Sequence, residues 1–185
     1  MGIALDQIRA GDFLLYRGNG PASWVIKALT ASRYTHIEQY DGRGQSWASR
    51  DGIGVGLYDA RTNDLSLVLR VRTEMVPFDM AGARRYWASA NGRGYDWCGL
   101  AVSRFPSLQG GVDEEEKEFC SEAATRAFRF GIAEALGLRL PTRNGSRQAR
   151  EVLARLGRDP FNGENADAIF PGMFPRCAFL EEVTA

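Results

Sequence analysis

Two residues in this chain have the types and settings that nucleophilic chemistry needs. Cys120 opens the stretch "CSEAATRAFRFGIAEALGL", whose Ala, Leu and Glu content predicts a long helix closing at Gly137. At a helix start, the unbonded N–H groups and the positive end of the dipole favour a thiolate. The residues after it, "SEAA", are small apart from Glu122, so the sulfur need not be smothered. A thiolate becomes a useful nucleophile beside a base or an imidazolium, and the chain has one histidine, His36. It lies in "RYTHIEQYDGRG", with Glu38 two places on. Strand alternation puts His36 and Glu38 on one face with Cα atoms about 7 Å apart. That spacing allows the carboxylate to fix the ring and support its charge, without enforcing the contact. Read alone, a single histidine on a strand is an ordinary satisfied polar residue.

The other candidates are weaker. Cys98 in "DWCGL" and Cys177 in "PRCAF" sit among apolar residues and read as small core thiols. Three cysteines without paired spacing suggest thiols in a reducing compartment rather than a disulfide frame. One histidine and no C-x-x-C leave no zinc set, and neither metal nor cofactor is expected. "DEEEKE", residues 113–118, reads as a solvated loop, and Asp12 as a turn residue after Gly11.

The elements that must position these residues fall into two halves. Residues 12–17 read as a strand, and "ASWVIKALTAS" as a short helix opened by Pro21. Residues 34–40 read as a strand, "DGRG" as a hairpin turn and "QSWAS" as the return strand. "IGVGLY" and "LSLVLRVR" supply two more strands. Beyond residue 77, "FDMAGARRYWASAN" reads as a helix ending near Gly92, and "YDWCGLAVSRF" as a short helix. The Cys120 helix follows, then "SRQAREVLARLG", capped by Ser146, then a tail broken by Pro171 and Pro175. Strands first and helices after predict an α+β domain on an antiparallel sheet. Phe13, Leu15, Trp24, Ile26 and Leu29 are the expected core of its first half.

Composition bounds the function. At 185 residues the chain suits one domain, with a core over about 8–140 and a helical C-terminal elaboration over about 141–185. Acids and bases balance at 23 each, which argues against nucleic acid or an anionic membrane held by bulk charge. The N-terminus shows neither a basic segment nor a long apolar one, and Asp6 stands where a myristoylation signal needs Ser or Thr. No run is apolar enough to span a bilayer. A cytoplasmic setting is therefore expected. A role on cell walls would need release by lysis or carriage in a phage particle.

The pieces "IRAGDFLLYRG", "ASRYTHIEQYDGRG", "GRGYDWCGL" and "FCSEAATRAF", in that order, resemble the circularly permuted, papain-like branch of the NlpC-type cysteine amidases, which includes the YiiX/YaeF-like proteins. The resemblance spans about residues 8–130 and rests on order and spacing, since each motif alone is weak. It implies a small antiparallel sheet, often barrel-like, with the cysteine helix packed on it. It also implies Cys120 as nucleophile and His36 as general base. Many relatives carry the third, polar residue on the next strand, where this chain has Trp47 or Ala48. Glu38 is the replacement candidate, with Ser46 or Ser49 behind it. Tyr95 of "GYD" matches a tyrosine close to the nucleophile, so Tyr95 and Ser46 are candidates for contacts to an oxyanion or substrate. A purely structural Tyr95 stays open.

Three functions follow as expectations. The first is a thiol hydrolase acting on an amide or peptide bond, with a peptidoglycan-type peptide as the first substrate by family analogy. The second is an acyltransferase or lipid-ester hydrolase on the same fold. The third is a binding module with a relict site, motivated by the apolar residues on the "SWAS" strand.

Overall fold

The computed structural model describes residues 5–97, 117–142 and 145–184. Its centre is one antiparallel six-stranded sheet with the order β4-β3-β2-β1-β5-β6. The strands are β1 (Phe13–Tyr16), β2 (His36–Gly42), β3 (Gln45–Arg50), β4 (Gly54–Asp59), β5 (Leu65–Val71) and β6 (Leu180–Glu182). Among the described residues, the helices with complete bounds are α1 (Pro21–Thr30), α2 (Met80–Ala90), α3 (Cys120–Ala135) and α4 (Gly145–Arg155). The α+β class holds.

Alternation along the strands sorts the side chains. Phe13, Leu15, Ile37, Leu67 and Leu69 face the helices and form the main core with Ala123, Ala124, Ala127 and Phe128 of α3. Leu14, Tyr16, Tyr40 and Val68 form a second layer on the opposite face with Ile8. The central strand β1 is therefore buried on both sides. Helix α3 is buried from Cys120 through Ala133, and its alanines let sheet and helices approach closely. Helix α2 meets it at Gly82, where an added Cβ would lie 2.4 Å from the Phe130 carbonyl oxygen.

The β2–β3 hairpin turns through Arg43 and Gly44, both at positive φ (53° and 78°), as a two-residue hairpin turn requires. The pairing then fails in an instructive place. β2 pairs with β1 back to His36↔Tyr16, and β3 pairs with β4 out to Arg50↔Gly54. Between β2 and β3 the ladder stops at Gln39↔Trp47. The first three residues of β2 thus lack a β3 partner, and the sheet opens where His36 stands.

Several expectations need correction. Trp24 is 69% exposed rather than core, because α1 turns Ile26 inward and Trp24 outward. Leu29 is only half-buried. Glu118, at the end of the supposed solvated run, is fully buried. Helix α4 opens at Gly145, so Ser146 lies inside its first turn rather than capping it. The tail carries a strand as well as short 3-10 helices: β6 pairs with β5 and forms one edge of the sheet. Asp12 does serve its turn by accepting the Arg9 amide, and it also holds a two-pronged ion pair with Arg70. Cys98 and most of "YDWCGLAVSRF" lie outside the described residues. No helix among the described residues is long and apolar enough to cross a membrane.

Candidate active site

The opening between β2 and β3 is filled by the residues that lead into α3. The Ser49 hydroxyl donates to the Glu118 carbonyl from the β3 side. On the β2 side, the Ile37 amide would face β3 if the ladder continued. It donates instead to the Cys120 sulfur. Cys120 is the first residue of α3, where first-turn amides have no carbonyl one turn back. The Ser121 amide also points at the sulfur.

His36 begins β2 beside this sulfur, and the two side chains are in hydrogen-bond contact. The ring's Nε2 lies 3.1 Å from Glu38 Oε1. The nitrogen left for Cys120 is therefore Nδ1. The imidazole keeps 15% of its surface exposed, while Cys120 is 3% exposed, so solvent reaches the pair from the ring's side. The Tyr16 ring packs 5.8 Å from the imidazole, centroid to centroid.

Glu38 is fully buried and anchors more than the histidine. Its Oε1 also accepts Arg50 Nε at 3.1 Å and Arg61 Nη2 at 2.9 Å. Its Oε2 accepts the hydroxyls of Ser46 and Tyr16, the latter at 3.3 Å. Ser46 thus braces the carboxylate from a fully buried position. That placement gives it no access to an oxyanion or substrate and corrects the expectation above. Ser49 does not contact His36; it fixes the chain before Cys120. Trp47 stacks on Trp87, with the rings 6.2 Å apart.

Tyr95 also reaches the sulfur, in hydrogen-bond contact with Cys120. Its backbone is fixed by a short chain of pairings. The Gly92 amide donates to the Val55 carbonyl, and the Val55 amide to the Arg93 carbonyl. Gly94 bridges to Lys117, and the Glu118 amide donates to the Gly94 carbonyl. The buried Glu118 carboxylate then accepts Arg93, Arg126 and the Tyr86 hydroxyl. One acid therefore ties the segment before Tyr95 to the segment before Cys120. Composition hid this residue, because it ends a run of six charged ones.

The electrostatics follow from these contacts. Burial pushes the Cys120 thiol up, but the charge and hydrogen bond of His36, with the two amides, outweigh burial and bring it below the ordinary value. Burial disfavours the imidazolium as well, yet Cys120 and Glu38 raise His36 to about 9. Burial would raise the Glu38 carboxyl, but His36, Ser46 and Arg61 bring it down to about 2. The Tyr95 phenol is pushed upward by burial and then by Cys120, so it stays protonated and can donate. A lowered thiol, a raised imidazole and a lowered carboxyl are the directions that favour charge on all three groups.

Cys177 provides an internal contrast. It donates from a buried position to the Pro160 carbonyl at 3.2 Å, and burial raises it to about 11. Iodoacetamide at pH 6, read by mass spectrometry of individual cysteines, should label Cys120 at least about a hundredfold faster than Cys177. Comparable rates at the two sulfurs would contradict the charge assignment.

No group of three or more His, Cys, Asp or Glu able to hold a metal occurs among the described residues. The chain matches no protein-family model and no curated protein.

Proposed function

We propose that the protein is a cysteine-dependent hydrolase of amide or peptide bonds, on a permuted papain-like fold of the NlpC type. The observation that carries this reading is the contact of the Cys120 sulfur with the His36 ring, whose far nitrogen is held by a buried carboxylate. In this reading Cys120 Sγ attacks the carbonyl carbon. The tetrahedral oxyanion takes the Cys120 amide and the Tyr95 hydroxyl as donors. His36 passes its Nδ1 proton to the leaving amine, giving a thioester on Cys120. The neutral ring then draws a proton from water, and the water attacks the thioester. Cleavage of that bond releases the acid and restores the ion pair. Glu38 keeps Nε2 protonated and the ring oriented throughout.

Supporting the permuted arrangement is the chain order: the histidine strand β2 precedes the cysteine helix α3, with the sheet packed against that helix. A peptidoglycan-type peptide remains the first substrate to try. Acyl transfer and lipid-ester hydrolysis use the same first step and differ only in acyl group and acceptor.

The test uses p-nitrophenyl acetate. The expected result is a burst of nitrophenol stoichiometric with enzyme and an acetyl group mapped to Cys120. Decay of that adduct in water supports a hydrolase, while decay only on adding an amine or alcohol supports a transferase. Absence of any burst, with Cys120 unmodified, leaves a binding module.

A further inference from the structure

The even balance of charge across the whole chain conceals a local excess beside His36. Residues 13–35 contain Arg17, Lys27 and Arg33 and not one Asp or Glu. Arg17 follows Tyr16, the strand partner of His36, and Arg33 lies three residues before His36. The pairing of β1 with this segment runs on past the named strands. The Thr35 amide donates to the Tyr16 carbonyl, and the Gly18 amide to the Thr35 hydroxyl. That places Arg17 and Arg33 at the same end of the sheet as the imidazole.

Both guanidinium groups are held rather than loose. Arg33 lies 4.9 Å from the centroid of the Tyr34 ring and Arg17 lies 5.5 Å from it, which draws two exposed cations to one ring. Arg33 also donates to the Tyr34 hydroxyl at 2.7 Å. Arg61 lies 4.8 Å over Tyr16, the ring that packs on His36, with 46% of its side chain exposed. Of these three cations Arg61 meets an acid, Glu38, whose Oε1 it shares with His36 and Arg50. Asp64 is exposed nearby, where its carbonyl accepts the Arg17 amide. Asp51 and Asp96 act on Tyr95 at the same site, whereas the cations held on Tyr34 and Tyr16 lie at the end of the sheet that carries His36 and make that end locally positive.

We infer that the site takes acyl substrates bearing a carboxylate a few atoms from the scissile bond, with Arg17 and Arg33 as its recognition residues. This rests on the cysteine-hydrolase reading above and adds the charge of the substrate to it. A carboxylate bound there offsets the excess cation and orients the carbonyl over Cys120. Arg61 contributes to the same field but also holds Glu38, so it is not the residue to vary.

The experiment compares haloacetamides that differ only in charge. Cys120 is alkylated with N-iodoacetylglycine, with N-iodoacetyl-γ-aminobutyrate and with the methyl ester of each, and glutathione gives the intrinsic ratio. Plain iodoacetamide reports the dyad separately. After correction for glutathione, the acid should react about tenfold faster than its ester, and added salt should shrink the preference. The double variant Arg17→Gln/Arg33→Gln should bring it to within about twofold, each rate being divided by the same variant's own iodoacetamide rate. Arg17→Lys/Arg33→Lys should keep most of it, which separates charge from local folding. The shorter and longer acids distinguish a carboxylate next to the scissile group from one farther along a side chain. Equal rates for acid and ester in the wild type, or a preference that survives in the glutamine variant, would overturn the inference. Slow iodoacetamide labelling of wild-type Cys120 would overturn the dyad reading instead.

Discussion

His36→Ala will lower the rate of Cys120 alkylation at pH 6 by roughly 10²–10³-fold and remove turnover altogether. The magnitude follows from what each neighbour does to the sulfur. Burial opposes the thiolate, and His36 is the largest influence acting against burial. Without the ring, the amides of Ile37 and Ser121 remain, but no positive charge in contact with the sulfur does. The thiol then returns to its ordinary value, about 8.5, or above it, leaving under about 1% thiolate at pH 6. The variant should still fold, because Glu38 keeps Arg50, Arg61, Ser46 and Tyr16 as partners. Alkylation rates from pH 5 to 10 on the folded variant check this. A variant that stays as reactive as wild type at pH 6 would show that His36 does not generate the nucleophile.

The second large effect concerns stability. Glu38→Ala should cost roughly 3–5 kcal/mol, because it strands cations around a buried position from which their shared anion has gone. Glu38→Gln should cost less, since its amide keeps an oxygen for some of these donors. The pH dependence has a definite sign. The carboxyl sits at about 2 in the folded protein and about 4.3 in an unfolded chain. A depressed carboxyl contributes stability that is present above the unfolded value and lost as pH falls toward the folded one. Roughly 3 kcal/mol should therefore disappear between about pH 5 and 2 in the wild type. Urea unfolding at a series of pH values should show that acid limb in the wild type and a flatter one in Glu38→Gln. The same slope in both proteins would remove Glu38 from its assigned place. The variant should also lower the His36 titration midpoint, measured by NMR.

Much of this site could be read from residue types because the chemistry is local. Cys120 at a helix start needs only the pattern of "CSEAATRAF", and the His36–Glu38 pair needs only strand alternation. The strands from β1 to β5 were visible as apolar and β-branched runs between glycine turns. What stayed hidden depends on non-local contacts. Glu118 sits in a charged run, and only tertiary packing reveals that Arg93, Arg126 and Tyr86 converge on it. Arg50 and Arg61 reach Glu38 from strands and turns whose side-chain directions the sequence leaves open. Ser46, expected as an oxyanion or substrate contact, turns inward beneath the carboxylate. Strand β6 is three residues long, and its identity comes from pairing with β5 rather than from its own pattern. Trp24 failed as a core residue because a short amphipathic helix with one buried anchor can expose its largest side chain.

The central claim is a resting ion pair between Cys120 and His36, and the rate of Cys120 alkylation by iodoacetamide across pH tests it most directly. The account predicts a rate already high at pH 6 and nearly level up to about pH 9, where the imidazolium loses its proton. A single rise centred at pH 8.5 or above, with negligible reaction at pH 6, would contradict it.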